Sequence, residues 1–429
     1  MTAKPAVPPD VLPVGLTADL LREYGSPLYV YRLDKVRSAV GSLRAELPDA
    51  LHVYYSLKAN PHPSLVAAAV ADGFGAEVSS VGEMAAVAAA GVAPQRCLYT
   101  GPAKTTTEMT AGLEAGVRTF SVESQHDLDR LRTACDRVAA TAAYLVRLNA
   151  ATASARAGLR MTGRPSQFGV PMAELSRGSE LLRATGGTRP VGFHVFSATN
   201  LPDPGDLLTE LAENVATVAA AVELTGFVPD VVDIGGGFGA PFAKPDVRPS
   251  YSGLGSALAE VLDERLPGWR SGRPRVAVET GRYLVAEAGT LLTTVMDVKE
   301  SGGRAYIICD AGVNALGGMS GIGRLLPPSA QPDGVDAAAS SAALVGPLCT
   351  PLDVLSRAAR VGDARVGDVL AIPNVGAYGL SASLVAFLGR PLPAEVVVDG
   401  TDVVAVRRLG LTDTGSAPEA ATLPGALNG

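Results

Sequence analysis

From about residue 50 to residue 285 the chain repeats one rhythm: a short β-rich apolar run, then an alanine-rich stretch with the composition of a helix. Eight runs of the first kind occur: "HVYYSLK" (52–58), "GAEVSS" (75–80), "RCLYTG" (96–101), "RTFSVES" (118–124), "AAYLVRLN" (142–149), "VGFHVFS" (191–197), "DVVDIGGG" (230–237) and "RVAVETG" (275–281). Segments such as "PSLVAAAVADG" (63–73) and "VGEMAAVAAAG" (81–91) between them predict helices. Strand alternating with helix predicts a parallel sheet, and eight units predict its closure into a (β/α)8 TIM-type barrel, class α/β. An open doubly wound sheet is the competing architecture, but no dinucleotide fingerprint follows the first run.

After residue 286 the rhythm changes. "TLLTTVMDVKESGGRAYIICDAG" (290–312) predicts two strands around a Gly-containing turn, and "AEVVVDGTDVVAVRRLG" (394–410) a second hairpin over Asp399-Gly400. The expected organisation is an N-terminal segment at 1–34 that packs with the later β region, a barrel at 35–285, a mainly antiparallel β domain at 286–412 and a tail at 413–429. Two long loops are expected, at 149–167 and at 326–342, the second of them mobile.

Bulk composition narrows the function classes. In 429 residues, 47% hydrophobic and 18% charged, a large core is possible and global disorder is not expected. A net charge of −7 without a Lys/Arg cluster argues against nucleic acid, and no apolar run reaches membrane-spanning length. The N-terminus has no apolar signal core, so a cytoplasmic protein is expected. Cys97, Cys135, Cys309 and Cys349 lack metal-ligand spacing and are expected as free thiols, and the four histidines do not pair at ligand spacing, so no metal site is expected.

The candidate chemistry collects at the ends of the predicted strands, which in such a barrel form one face. Lys58 ends the first run, Arg147 falls near the end of the fifth, and His194 and Ser197 end the sixth. Gly235, Gly236 and Gly237 end the seventh, and Glu279, Gly281 and Arg282 the eighth. Each has a plain alternative: a solvated lysine beside Asn60-Pro61, a satisfied core histidine, a loose glycine loop, a local Glu279–Arg282 ion pair. Together they offer an amine for an aldehyde, bare backbone N–H groups for a phosphate, and a carboxylate for a ring nitrogen. Those three requirements describe pyridoxal 5′-phosphate. Lys58 must lose its proton to form an imine, and Arg147 with a partly dry rim is expected to push it that way.

With these residues in place, the chain resembles the alanine-racemase-like barrel family of pyridoxal-phosphate amino-acid decarboxylases, which includes diaminopimelate and ornithine/arginine decarboxylases. The likeness runs from about residue 25 to 410. It rests on "YSLKAN", "TGPAKT" (100–105), "VES" (122–124), "FHVFSATN" (193–200), "DIGGGFG" (233–239), "ETGR" (279–282), "CDAGVN" (309–314), "GPLCTPLD" (346–353) and "GAYGLSAS" (376–383). The resemblance implies that Lys58 carries the cofactor and His194 stacks on its ring. It also implies that Arg147, Ser197, Gly236, Gly237, Glu279, Gly281, Arg282 and Tyr378 meet the cofactor. It further implies a homodimer with shared sites, in which Cys349 enters from the partner chain near the carbon to be reprotonated.

Two departures bear on substrate. Thr350 stands where diaminopimelate decarboxylases carry an acidic residue, so a distal ammonium loses an obvious partner. Arg324 could supply the arginine of a substrate clamp, with Tyr378 also facing substrate, but Pro328 replaces the clamp's tyrosine. Thr280 in "ETGR" replaces a usual proline. The "HVFSATN" and "GPLCTPLD" forms resemble a subgroup found beside natural-product assembly lines, which decarboxylates acidic aminoacyl units bound to an acyl carrier protein. The alternatives are a free basic amino acid as substrate, a racemase, or a non-catalytic relative.

Overall fold

The structure, a computed structural model, describes residues 12–149, 159–160, 166–317, 328–336 and 338–412, with only the backbone described at Leu159 and Arg160. Strand β1 (Leu28–Arg32) comes first, and the eight predicted runs follow as eight strands. These are β2 (His52–Ser56), β3 (Gly75–Val78), β4 (Cys97–Tyr99), β5 (Thr119–Val122), β6 (Ala142–Asn149), β7 (Thr188–His194), β8 (Val231–Asp233) and β9 (Arg275–Thr280). They pair in parallel in the order β5-β4-β3-β2-β9-β8-β7-β6, and β6 pairs back onto β5. The sheet therefore closes, and the open-sheet alternative falls.

Strand-to-helix turns carry their own stop signals. Ser80 accepts from the Glu83 N–H at the start of α4 (Val81–Ala89), and Ser124 from the Asp127 N–H at the start of α6 (Gln125–Val138). Thr105 and Glu108 cap each other's backbone at the start of α5 (Thr106–Ala115), and Asp203 caps α7 (Pro204–Thr225). Ser80 and Ser124 follow their strand ends within two residues and Thr105 and Asp203 after short loops, so the helix N-termini gather on the rim where the strands end. On the strand faces turned to the helices, Tyr55, Tyr99, Phe120, Tyr144 and Phe193 are fully buried, while Tyr54, Leu98, Leu145, Val191 and Ala277 form a separate buried cluster inside the barrel. Each large side chain removed from water contributes about 1.5–3 kcal/mol, enough to fix which strand face points inward.

One unit departs from the repeat. Between β6 and β7 the only helical segments among the described residues are single 3₁₀ turns, Met172–Glu174 and Glu180–Leu182, and Val170–Pro171 adds a short parallel pairing to Leu148–Asn149. Most of the predicted 149–167 loop lies outside the described residues, although Leu159–Arg160 pairs antiparallel with Ala198–Thr199.

A second sheet stands on the barrel. Its strands are β1 with β10 (Gly289–Ser301), β11 (Arg304–Cys309), β12 (Ser341–Val345), β13 (Val354–Arg360), β14 (Val369–Ile372), β15 (Ala394–Asp399) and β16 (Asp402–Arg408). The order is β13-β12-β11-β10-β1-β15-β16, with β14 also on β10, and only the β1–β15 and β11–β12 pairs are parallel. Both predicted hairpins are present; Gly302 and Gly303 turn the first with φ +58° and +72°, the left-handed geometry a tight two-residue turn requires. The amino-terminal strand lies in the middle of this sheet. Within 326–342, residues 328–336 and 338–340 have no regular structure. They are nonetheless fastened: the Gln331 N–H donates to Ala243 O (2.7 Å) on the barrel, and the Ala330 N–H to Leu355 O (2.8 Å) on the sheet.

Candidate active site

Lys58 is not on its strand. β2 stops at Ser56, and Lys58 is the middle residue of a single 3₁₀ turn, Leu57–Ala59. The turn is clamped by both parts of the molecule. Tyr55 Oη donates to Asn60 O (2.7 Å), Asn60 Nδ2 donates to Gly376 O (2.8 Å), and the Tyr378 N–H donates to Ala59 O (2.8 Å). Tyr378 holds φ at +54°, a conformation that costs about 1 kcal/mol or more outside glycine and is sustained by this bond. Leu57 and Ala59 are buried, so the lysine alone projects into the barrel mouth, its side chain 40% exposed.

Its ammonium meets two carboxylates. Lys58 Nζ lies 3.2 Å from both oxygens of Glu77 and 4.0 Å from Glu279 Oε2, and 5.0 Å from the centre of the Phe196 ring. Burial of Nζ lowers its pKa, but the charges of Glu77 and then Glu279 outweigh burial and leave it well above the ordinary lysine value. The expected loss of the proton is therefore reversed. Arg147 does push downward, but its own side chain is spent on Glu123 (2.9 Å). Glu77, on β3, was missed by the sequence reading; its one signal is a lone acid inside the apolar run "GAEVSS".

Across the mouth, His194 ends β7 and is 1% exposed. Its Nδ1 shares a 2.8 Å hydrogen bond with Ser121, and its Nε2 lies 3.1 Å from Glu279 Oε1. His194, Asp233 and Glu279 offer ligand atoms within 4.8 Å of one another, all buried. Two buried carboxylates this close cannot share one state. Burial pushes both up, but the contact with His194 and the charges of Lys58 and Arg147 hold Glu279 down, to about 2. Asp233 is driven well above the ordinary value by burial and by Glu279 itself.

The glycine run after β8 passes very close to this acid. A Cβ on Gly236 would lie 1.8 Å from Glu279 O, and one on Gly235, whose φ is +69°, would lie 2.4 Å from Val195 O. Only glycine lets the backbone reach this position. Gly237 follows with φ +119°, and Ser197 is buried beside it, its Oγ donating to Asn214 Oδ1, while Asn214 Nδ2 donates to Ile234 O (3.0 Å). Gly281 packs against Ser56 and Ala59 of the Lys58 turn, and Arg282 stacks 4.6 Å from the Tyr378 ring centre.

The structure thus brings Lys58, Arg147, His194, Ser197, Gly236, Gly237, Glu279, Gly281, Arg282 and Tyr378 to one rim. Cys349 and Thr350 stand apart, in the loop between β12 and β13. Cys349 is exposed, and among the described residues it makes no hydrogen bond to the Lys58 group. Asp353 shapes this loop, accepting from the Val313 and Leu348 N–H groups at 2.7 Å each. Arg324 lies outside the described residues. Cys97, Cys135 and Cys309 are buried free thiols.

Does this rim fit pyridoxal phosphate? Asp233 Oδ2 is buried without a hydrogen-bond partner, and Glu279 Oε1 and His194 Nε2 meet only each other, as a 3.1 Å ion-pair contact without hydrogen-bond geometry, next to a backbone stretch only glycine can occupy and an amine aimed at the mouth. Buried polar atoms are rarely left so, and a ring nitrogen facing Glu279 would use one of them. The residues present fit. The comparisons agree. Residues 33–286 match the model of the pyridoxal-dependent decarboxylases, pyridoxal binding domain.

The chain belongs to the pyridoxal-dependent decarboxylase family. It is 28% identical over 405 residues to the L-glutamyl-(BtrI acyl-carrier protein) decarboxylase of Niallia circulans, covering 92% of this chain and 94% of that one. It is 29% identical over 394 residues to the diaminopimelate decarboxylase of Aquifex aeolicus, covering 91% and 90%. A crystal structure from Aquifex aeolicus superposes with a TM-score of 0.74 at 27% identity, covering 90% of this chain and 89% of that one. The protein is accordingly a pyridoxal-phosphate-dependent amino-acid decarboxylase. No helix among the described residues is long and apolar enough to cross a membrane.

Proposed function

We propose that this decarboxylase removes the α-carboxylate from an acidic aminoacyl unit, aspartyl or glutamyl, held as a thioester on an acyl carrier protein in natural-product biosynthesis. One observation carries the choice of substrate. The loop bearing Cys349 has a neutral Thr350 beside the thiol, and the one carboxylate in residues 346–353, Asp353, is 3% exposed and occupied by two backbone N–H groups. A distal ammonium, as on diaminopimelate, would find no countercharge there. The relative that acts on a carrier-bound glutamyl unit supports the reading, and the comparable identity of a diaminopimelate decarboxylase keeps the alternative substrate as its direct competitor.

In this reading Lys58 would hold the cofactor, Glu279 would supply the carboxylate that keeps its ring nitrogen protonated, and His194 would help bind its ring. Ser197, Gly236, Gly237 and Arg282 hold the phosphate. When bound, the cofactor withdraws the electron pair left by the departing CO2. The chain's task is placement: the carboxylate must stand perpendicular to the ring, and water must be kept from the carbon. Cys349, exposed and unattached to its own chain's Lys58 group, serves the site of a second copy, where it or a nearby acid returns the proton.

The test offers the purified enzyme free diaminopimelate, free glutamate and aspartate, and carrier-loaded glutamyl and aspartyl units, and weighs the products by mass spectrometry. Loss of CO2 from a carrier-loaded unit alone is the expected result. Comparable turnover of free diaminopimelate would overturn it.

A further inference from the structure

Decarboxylation consumes a proton. The bond to the carboxyl carbon breaks, its electron pair stays on the α-carbon, neutral CO2 leaves, and one proton from water ends on the product. A carrier-tethered substrate would meanwhile fill the barrel mouth, so the proton needs another way in.

We propose that Ser79, Thr100 and Glu77 form a proton-delivery chain from water to the Lys58 amine, entering along the rim between β3 and β4. The hydrogen bonds are continuous. Thr100 Oγ1 donates to Glu77 Oε1 at 2.7 Å, and Glu77 lies 3.2 Å from Lys58 Nζ through both oxygens. Ser79 Oγ is 3.1 Å from Thr100 Oγ1. Thr100 also reaches Val78 O, at 3.5 Å, a much weaker alternative for its hydroxyl. Since Thr100 gives its proton to Glu77, Ser79 must be the donor to Thr100, and every hydroxyl then points inward. Thr100 is 2% exposed and Glu77 3%, whereas Ser79 is exposed, so the chain spans from water to the buried carboxylate.

The transfer balances without further reactants. Ser79 takes a proton from water's hydronium as its own passes to Thr100, Thr100's passes to Glu77, and Glu77's passes to the free lone pair of Lys58. Only O–H and N–H bonds change until Lys58, the acid beside the reacting carbon, gives its proton to the electron pair on the α-carbon and the product's C–H bond forms. Satisfying the buried Glu77 would require Thr100 alone; Ser79, already in reach of water, gains no needed partner from the second bond. The charged and titratable groups facing Lys58 are Glu77 from β3, Glu279 from β9, Arg147 from β6, Tyr378 from the second domain, Asp233 from β8 and Glu83 from the helix after β3, whose carboxylate accepts from the Ser79 N–H. Of these, only Glu77 joins the hydroxyl pair.

The inference rests on the reading of Lys58 as the cofactor lysine, and the test separates the two. Thr100→Val keeps the shape and removes the hydroxyl; Thr100→Ser keeps the hydroxyl. The valine variant should lose about 10- to 100-fold in kcat with unchanged KM and unchanged cofactor absorbance. It should also gain a D2O effect on kcat, and the serine variant should recover native behaviour. In cofactor-free protein, Glu77→Gln should lower by about one unit the pH at which Lys58 reacts with acetic anhydride, followed by mass spectrometry. Native kcat and no D2O effect in Thr100→Val, or equal loss in both Thr100 variants, would overturn the chain. An unmoved Lys58 reactivity in Glu77→Gln would overturn its last link. If Lys58→Ala retained the cofactor, the reading of Lys58 would fail, while the Glu77→Gln shift would stand.

Discussion

Two lysines on the barrel rim, Lys58 after β2 and Lys104 in the loop after β4, both face carboxylates, and their surroundings differ in one respect. Lys104 is closed in, with its side chain 2% exposed. It donates to Gly101 O and to Asp127 Oδ2 (2.7 Å); Asp127 also receives Arg130 (3.2 Å) and the Glu123 N–H (3.1 Å). Glu123 in turn takes Arg147 and the Gly169 N–H, both at 2.9 Å. Apart from the Nε atoms of Arg130 and Arg147, this network is satisfied. Around Lys58 the lysine is 40% exposed, Asp233 Oδ2 has no hydrogen-bond partner, and Glu279 Oε1 and His194 Nε2 face only each other, at 3.1 Å and without hydrogen-bond geometry. A buried polar group left unpaired costs about 1–3 kcal/mol, so a cluster of three is retained where something else is to be bound. In the proposed reading the closed group holds the rim and the open group receives the cofactor.

The sharpest way to break this division is to remove each lysine in turn. Lys58→Ala should abolish the absorbance of bound cofactor and lower decarboxylation by about 1,000-fold or more, with the fold intact by circular dichroism. Lys104→Met, per molecule of cofactor-loaded enzyme, should lose less than about tenfold in kcat. Comparable losses in the two variants would erase the distinction.

Stability should reverse the ranking. Lys104→Met leaves Asp127 buried without its closest cation, and should cost about 3 kcal/mol in urea denaturation, the low end of such changes because Arg130 remains. Pairing it with Asp127→Asn, which keeps an acceptor for the Glu123 N–H, should restore about half of the loss. Lys58→Met in cofactor-free protein should cost about 1 kcal/mol or less, since Nζ has access to solvent.

That contrast also marks how far the sequence can be read. The eight strands and the second-domain hairpins were legible because period and turn residues are local properties. The strand ends named the rim, and so most of the site. Glu77 escaped because alternation assigns an acid to one strand face and says nothing of what stands across a closed barrel. Lys58 was placed on its strand because nothing between Ser56 and Asn60 signals a 3₁₀ turn; the clamp that makes it comes from Gly376 and Tyr378, more than three hundred residues away. The place of β1 in the middle of the second sheet is a non-local pairing of the same kind, with β10 and β15. Between β6 and β7 the rhythm continued in count but not in content, and only 3₁₀ turns filled the expected helix.

The smallest effect is the most diagnostic, because its two halves have opposite sign. In cofactor-free protein the Lys58 pKa lies above its unfolded value, held up by Glu77 and Glu279 against burial. Its contribution to stability is therefore complete below the unfolded value and is lost as pH rises through the folded one. Burial depresses Lys104 instead, more than Asp127 can restore. Its contribution is present above the unfolded value and is lost as pH falls through the folded one. Between about pH 9 and about pH 11, the stability gap between native protein and Lys58→Met should narrow, and the gap for Lys104→Met should widen. Neither slope can exceed about 1.4 kcal/mol per pH unit, the limit for one proton, and solvent screening should keep that of Lys58 well below it. Urea midpoints collected across that range decide the matter: slopes of the same sign would mean that the two lysines sit in equivalent surroundings, and that the open cluster is no more prepared for a ligand than the closed one.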